Sequence, residues 1–253
     1  MGKAKMRPFM LVLFLMFFSQ NALAYCYEPS APYNKPQKPY VPYCVNEWAG
    51  THSCDDWEIN NYYAEQGALE MIEALVSGGV RVVEITLRTP IAHDIFVAAR
   101  SAFPEIVLGA GSVMDSGLYD EAVRMGADFT ISPGRCLVLE AHCAEQKTLH
   151  IPGVVTPSEI IAARKAGQRL VKFYPCEAAG GAAVLRDLGR LFPDMAMMPS
   201  GGIKLEGLEA YAALPGVLSV GGSWMYAANG QIRPLAEMKQ VMARSISVMM
   251  QGA

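Results

Sequence analysis

Residues 80–86 read VRVVEIT and residues 170–175 read LVKFYP, and five more short apolar runs share their character: IVLGAG (106–111), FTIS (129–132), LHIPG (149–153), MAMMPSGG (195–202) and VLSVGG (217–222). Successive runs begin 20 to 26 residues apart, and each gap holds a segment of helical periodicity such as HDIFVAARSAF (93–103) or AAVLRDLGRLF (182–192). Strands that alternate with helices in this way build parallel βα units. Seven such units in one chain are closed most economically as a (β/α)8 TIM-type barrel of the α/β class. The competing architecture, an open doubly wound sheet, announces itself with GxGxxG after an early strand. Here GAGSVM (109–114) lacks the third glycine in register, and no acidic ribose partner follows at the usual distance.

An eight-stranded barrel needs one more strand in front. A helix, ALEMIEALVSGG (68–79), precedes the first run, and the place of the leading strand holds WEINNYYAEQ (57–66). The barrel expected over residues 67–253 therefore has its first strand missing or replaced. An open ring has two raw edges, which predicts a marginal protein unless a segment such as WEINNYY fills the gap.

The segment ahead of it has a different character. Lys3, Lys5 and Arg7 precede the apolar run Phe9–Phe18, and Ala22-Leu23-Ala24 follows as a small-x-small site. That is the order of a secretory signal over residues 1–24, cleaved after Ala24. The run is too short to span hydrocarbon about 30 Å thick, so no membrane attachment is expected once the signal is removed. Residues 25–66 then form a Pro- and Tyr-rich segment or linker (EPSAPYNKPQKPYVPY at 28–43), extended because its prolines favour polyproline geometry. Cys26, Cys44 and Cys54 lie within it; in an exported chain two of the three can pair, and sequence does not choose which.

Composition sets the remaining limits. Of the 253 residues 52% are hydrophobic and 18% charged, enough apolar material for a filled core and unlike a disordered or fibrous chain. The 21 basic and 24 acidic side chains are spread without blocks, so the electrostatic footprint of a nucleic-acid binder is absent.

Strand alternation groups the polar residues. Val80, Val82, Glu84, Thr86 and Arg88 share one face, and so do Leu170, Lys172 and Tyr174. Parallel strands are buried on both faces, so a mid-strand ammonium must shed its charge or find a partner. Two readings stay open for Lys172: a nucleophile, or half of a structural ion pair with Glu84. Arg88 alone reads as a strand-end surface charge. At the carboxyl ends of the strands, GAGS places Ser112 and SPG places Ser132–Gly134 on the rim. The turns PSGG (199–202) and VGGS (220–223) follow the last two runs, where barrels hold phosphate on glycine amides. Either turn alone is ordinary turn chemistry; the adjacent pair favours an anion.

From about Ala68 to Trp224, GGVRVVEITLRT, GAGSV, ISPG, VKFYP, PSGG and GGSW stand in an order that resembles the class I 2-keto-3-deoxy-6-phosphogluconate (KDPG) aldolases, also called 4-hydroxy-2-oxoglutarate (KHG) aldolases. The resemblance implies a metal-independent, cofactor-free Schiff-base lyase of the Entner–Doudoroff route. Such an enzyme cleaves KDPG, a phosphorylated keto acid, to pyruvate and glyceraldehyde 3-phosphate, and KHG to pyruvate and glyoxylate. It also implies that Lys172 forms the imine, Glu84 is the general acid and base, and Arg88 and Ser112 hold the pyruvate carboxylate. Pro133 would line the pocket, with Ser200, Gly201, Gly202, Gly222 and Ser223 at the phosphate, in a homotrimer.

The chain departs from that pattern at four places. Ser112 and Ser200 stand where Thr is usual, each keeping the hydroxyl, and Tyr174 stands for Phe. The tail YAANGQIRPLAEMKQ (226–240) is short, and the first strand is absent. Two alternatives share parts of the signal. A phosphate-binding isomerase or epimerase barrel would use the rim glycines without a lysine beside Glu84 and Arg88. An exported, inactive interaction protein derived from the barrel would fit the missing strand. The signal implies export, to the periplasm or beyond, whereas the family's chemistry implies the cytoplasm. Cys136, Cys143 and His142 lack the further ligands of a metal site and read as structure.

Overall fold

The computed structural model describes residues 12–15, 57–146, 148–228 and 231–251, of which 12–15 and 57–64 are described by backbone alone. The seven apolar runs become β2 (Val82–Thr86), β3 (Val107–Gly111), β4 (Phe129–Ile131), β5 (Leu149–Ile151) with its continuation β6 (Gly153–Val154), β7 (Leu170–Phe173), β8 (Ala196–Pro199) and β9 (Gly221–Gly222). Pro152 divides β5 from β6 because it has no N–H to give to a ladder, while its carbonyl still accepts from the Lys172 amide at 3.0 Å. Together with β1 (Val12–Leu15), the strands form one parallel sheet in the order β5-β4-β3-β2-β1-β9 and another in the order β6-β7-β8. Bridges Met197–Val217 and Ser200–Gly221 join β8 to the β9 run. With β5 passing into β6, the strands follow the cyclic order of a (β/α)8 TIM-type barrel.

The leading strand is present, and it comes from an unexpected part of the chain. β1 (Val12–Leu15) lies between β2 and β9 and runs parallel to both, with Val12 opposite Val82 and Gly221, and Phe14 opposite Glu84. The first strand is thus replaced: the apolar run that reads as the heart of an export signal holds the position, and the two edges expected to be raw are paired. WEINNYY does not fill the gap. It opens α1 (Trp57–Ser77), which begins ahead of Gly67, where the barrel was expected to start. The physical reason is that a buried parallel strand and a signal core ask the same thing of a sequence, a short uninterrupted apolar run. The Ala24 site, the Pro-rich stretch and Cys26, Cys44 and Cys54 lie outside the described residues.

The helices α2 (Pro90–Ala102), α3 (Ser116–Arg124), α4 (Leu137–Ala144), α5 (Pro157–Lys165), α6 (Gly181–Leu191), α7 (Leu208–Ala212) and α8 (Leu235–Gln251) complete the ring. Local signals set their starts. Asp115 accepts from the Leu118 amide at α3, and Thr156 with Glu159 makes a reciprocal capping box at α5, with Pro157 in the first turn. A short antiparallel pair, β10 (Ala227–Ala228) and β11 (Gln231–Ile232), precedes α8. Among the described residues no helix is long and apolar enough to cross a membrane.

Side-chain alternation divides the apolar residues into two layers. Val83, Ile85, Leu108, Val171 and Phe173 face outward and pack with helix residues such as Ile72, Phe96 and Leu185. Val82, Phe129, Ile131, Ile151 and Met198 plug the interior, with Leu170 against them. A Cβ on Gly109 would stand 2.1 Å from the Phe129 ring, so this glycine is what lets Phe129 reach across the plug. The plug is the floor on which the polar groups stand.

Candidate active site

Glu84 is two residues beyond Val82 on the inward face of β2, and Lys172 is two beyond Leu170 on β7. Lys172 Nζ lies 3.5 Å from Glu84 Oε1, and both side chains are almost wholly buried, 4% and 0% exposed. The carboxylate fits because β3 offers no side chain there: a Cβ on Gly111 would come within 1.9 Å of Glu84 Oε1. Gly111 is a site residue that the sequence reading passed over. No signal in the sequence marked it, because Gly111 closes its strand, where a glycine reads as the start of a turn. Neither Glu84 oxygen has a hydrogen-bond partner among the described residues, so the carboxylate keeps its capacity to accept a proton.

Burial pushes the Glu84 carboxyl up to about 7, against the downward pull of Lys172 and, more weakly, Arg88. Burial also draws Lys172 below the usual ammonium range; Glu84 resists this, and Arg88 adds a smaller push in the same direction as burial. Both shifts favour the uncharged forms. A neutral amine is what adds to a ketone, and a carboxyl near neutrality can both give and take a proton. The Lys172 Nζ also stands 5.4 Å from the centre of the Tyr174 ring, inside the range of cation–π attraction. Tyr174 in turn lies against the first glycine turn, since a Cβ on Gly201 would meet its ring at 3.1 Å.

At the end of β2 the Arg88 Nε donates to Ser112 Oγ at 2.7 Å. Ser112 itself is held at φ 61, a left-handed conformation that a residue with a side chain seldom adopts. The loops are tied below by Leu87 N–H to Gly111 O at 2.9 Å. The structure therefore joins the two residues proposed for one anionic group. Pro133 sits on the neighbouring rim, where the Ser132 hydroxyl donates to Gly134 O at 2.6 Å. Its backbone leans on β6 at Gly153, where a Cβ would stand 2.3 Å from the Pro133 carbonyl carbon.

The two glycine turns meet through the Ser200–Gly221 bridge. Ser200 is buried and its Oγ has no hydrogen-bond partner among the described residues. Gly201 and Gly202 have φ of +98° and +83°, which only glycine adopts without strain. Gly222 is buried and Ser223 exposed at the mouth. Two contacts thus unite Glu84 with Lys172 and Arg88 with Ser112, one bridge unites the turns, and Pro133 stands in its own loop. Three cysteines outside this site, Cys136, Cys143 and Cys176, are free thiols. Burial pushes Cys143 up to about 12 and Cys176 up to about 11, which keeps both protonated and unreactive.

The chain matches the aldolase family described as KDPG and KHG aldolase over residues 59–241. It is 38% identical over 164 residues to a 2-dehydro-3-deoxy-phosphogluconate aldolase of Treponema pallidum, covering 65% of this chain and 78% of the relative. It is 40% identical over 162 residues to the KHG/KDPG aldolase of Escherichia coli K12, covering 64% and 76%. Among solved structures, the KDPG aldolase of Legionella pneumophila superposes with a TM-score of 0.63 at 34% identity, over 75% of this chain and 89% of that one. That enzyme was captured with pyruvate as a covalent carbinolamine. The Zymomonas mobilis ZM4 aldolase, solved with 3-phosphoglycerate, gives 0.67 at 32% identity over 72% and 85%. Since the family match takes in most of the chain and every site residue from Glu84 to Ser223, the chain belongs to the KDPG and KHG aldolase family.

Proposed function

We propose that this chain is a class I, metal-independent aldolase that cleaves KDPG to pyruvate and glyceraldehyde 3-phosphate, and KHG to pyruvate and glyoxylate. The observation that carries the reading is the buried Lys172–Glu84 pair at 3.5 Å, with both groups shifted toward their neutral forms. The uncharged Lys172 amine adds to the substrate C2 carbonyl, and loss of water with uptake of one proton from solvent leaves a protonated imine. Glu84 removes the proton of the C4 hydroxyl, directly or through water, as the C3–C4 bond breaks. The bonding electrons pass into the imine, giving an enamine and the free aldehyde. Glu84 returns the proton to C3, and hydrolysis releases pyruvate and restores the amine. Arg88 and Ser112 hold the keto-acid carboxylate; the glycine turns with Ser200, Gly222 and Ser223 take the remote phosphate, and Pro133 lines the mouth.

Borohydride reduction in the presence of pyruvate, followed by mass spectrometry of the peptide containing Lys172, tests the assignment. A reduced adduct on that peptide is expected, and its absence from folded protein rules out imine catalysis. The pH profile gives a second check. With Glu84 pushed up to about 7, kcat/KM should rise over roughly pH 6 to 8 as the carboxylate forms. Glu84→Gln should remove that limb along with most of the rate; a limb unchanged in the variant would assign it to another group.

For the phosphate end, Ser223→Asp is the cleaner probe. A side chain on Gly202 would collide with Glu177, its Cβ only 2.9 Å from that of the glutamate, besides requiring a positive φ. Ser223→Asp should raise KM for KDPG by about tenfold and KM for KHG far less, because the new carboxylate would stand at the phosphate on C6, whereas the far carboxylate of KHG is bonded to C4 and stays nearer the reacting carbons. Equal effects on both substrates would move the phosphate elsewhere.

The homotrimer and the export signal belong to the same proposal. The exposed Leu137, Val138 and Met114 supply apolar surface that self-association would cover, and sedimentation velocity tests it. Cleavage after Ala24 and retention of β1 exclude one another, so N-terminal sequencing of chain recovered from the cytoplasm and the periplasm decides which fate the leader meets.

A further inference from the structure

Beside the first glycine turn lies a pair of side chains to which the mechanism assigns no role. Tyr211, buried on α7, donates its phenolic hydrogen to Glu177 Oε1, and the Cys176 thiol donates to the same phenol oxygen at 3.5 Å. Space for the pair is kept by Gly181, where a Cβ would stand 3.2 Å from the Tyr211 hydroxyl and 3.3 Å from Glu177 Oε2. The Glu177 stem also lies flat against Gly202, where a Cβ would be 2.9 Å from the Glu177 Cβ and 3.1 Å from its Cγ.

The backbone of the same residues turns the glycine peptides. Cys176 N–H donates to Ser200 O at 2.8 Å, and Glu177 N–H donates to Gly201 O at 3.0 Å. In a trans peptide the N–H points opposite to the C=O. With these two carbonyls drawn toward the loop after β7, the amides of Gly201 and Gly202 face away from it. On that far side lies the other glycine turn, to which Ser200 is bridged through Gly221. Two successive amides aimed the same way form an anion-binding concavity. A carboxylate beside such a concavity opposes a phosphate unless its charge is engaged elsewhere.

We propose that Glu177 and Tyr211 act as a brace that holds the Gly201 and Gly202 amides toward the substrate's remote end and keeps the Glu177 charge turned away from it. The pair is then a positioning element that decides preference for phosphorylated over unphosphorylated keto acids. It rests on the reading of the glycine turns as the phosphate site, which the test separates from the brace itself.

Inorganic phosphate affinity, followed by ³¹P NMR titration of the full chain, reads the brace without any turnover. Tyr211→Phe removes one oxygen from a buried ring. It should weaken phosphate binding by roughly tenfold, the usual consequence of losing a hydrogen bond to a charged group. KM for KDPG should rise in step, with KM for KHG and both kcat values almost unchanged. Glu177→Gln keeps an acceptor for the phenol and removes the charge, so phosphate affinity should hold or improve. Tyr211→Phe added to Glu177→Ala should cost no more than Glu177→Ala alone, because the two residues work through one contact. If the unaltered chain binds no phosphate, the glycine-turn reading falls and takes the brace with it. If it binds phosphate and Tyr211→Phe binds it equally well, or loses KDPG and KHG alike, only the brace is overturned.

Discussion

Lys172→Ala should abolish borohydride trapping of pyruvate and lower turnover by about 10⁴-fold or more, since among the described residues Lys172 is the lysine paired with Glu84 in the barrel interior. The fold should survive. Removal of the amine leaves Glu84 buried with the weaker pull of Arg88, and a carboxyl already at about 7 answers by keeping its proton. The melting temperature at pH 6 should therefore fall by only a few degrees. Lys172→Arg, which keeps the charge and cannot form an imine, should be equally inactive. The opposing reading, a structural ion pair, makes the reverse forecast: breaking a buried pair costs about 3–5 kcal/mol, and any residual activity would follow the fraction folded. Full turnover in folded Lys172→Ala would end the aldolase assignment at this residue.

The second large effect concerns β1. A chain that begins at Tyr25 lacks Val12–Leu15, and with it the parallel partners of both β2 and β9. Two exposed edges and an opened interior should lower the melting temperature by more than 10 °C. About 1 kcal/mol moves a domain of this size by roughly 2–4 °C, and the loss should exceed 4 kcal/mol. The bared edges should also make the shortened chain aggregate. Leu13→Pro in the full chain isolates the ladder from the rest of the leader. It removes a single N–H from a strand with neighbours on both sides, where proline is not tolerated. That variant should reproduce most of the loss. Melting curves of the full chain, the chain from Tyr25 and Leu13→Pro settle the point; three coincident curves would show that the ring gains nothing from residues 12–15.

Much of this protein is legible without coordinates. Seven apolar runs at near-even spacing with helical segments between them leave few architectures, because parallel strands need crossovers of a helix's length. Period-two alternation alone places Glu84 inward with Val82, and Lys172 with Leu170, since the pleat allows no other arrangement. A solitary lysine among apolar neighbours then points to chemistry or to pairing, and sequence cannot choose between them. That choice depends on a distance between strands far apart in the chain. The 3.5 Å contact and the shared burial of the pair are properties of the closed ring.

The same limit explains what was not legible. Gly111 and Gly153 look like ordinary glycines until Glu84 and Pro133 are seen occupying the space a Cβ would take. Glu177 and Tyr211 stand far apart in sequence and meet only because α7 packs beside the loop after β7. Above all, the run Phe9–Phe18 suits either an export signal or a buried strand, since both require short apolar continuity and neither imposes a period. Sequence determined the repeating βα order, the inward faces and the chemical types at the rim, because those follow from local periodicity and residue chemistry. Tertiary structure alone decided which segment completes the ring, placing Val12–Leu15 there because only the unpaired backbone edges of β2 and β9 specify what must lie between them.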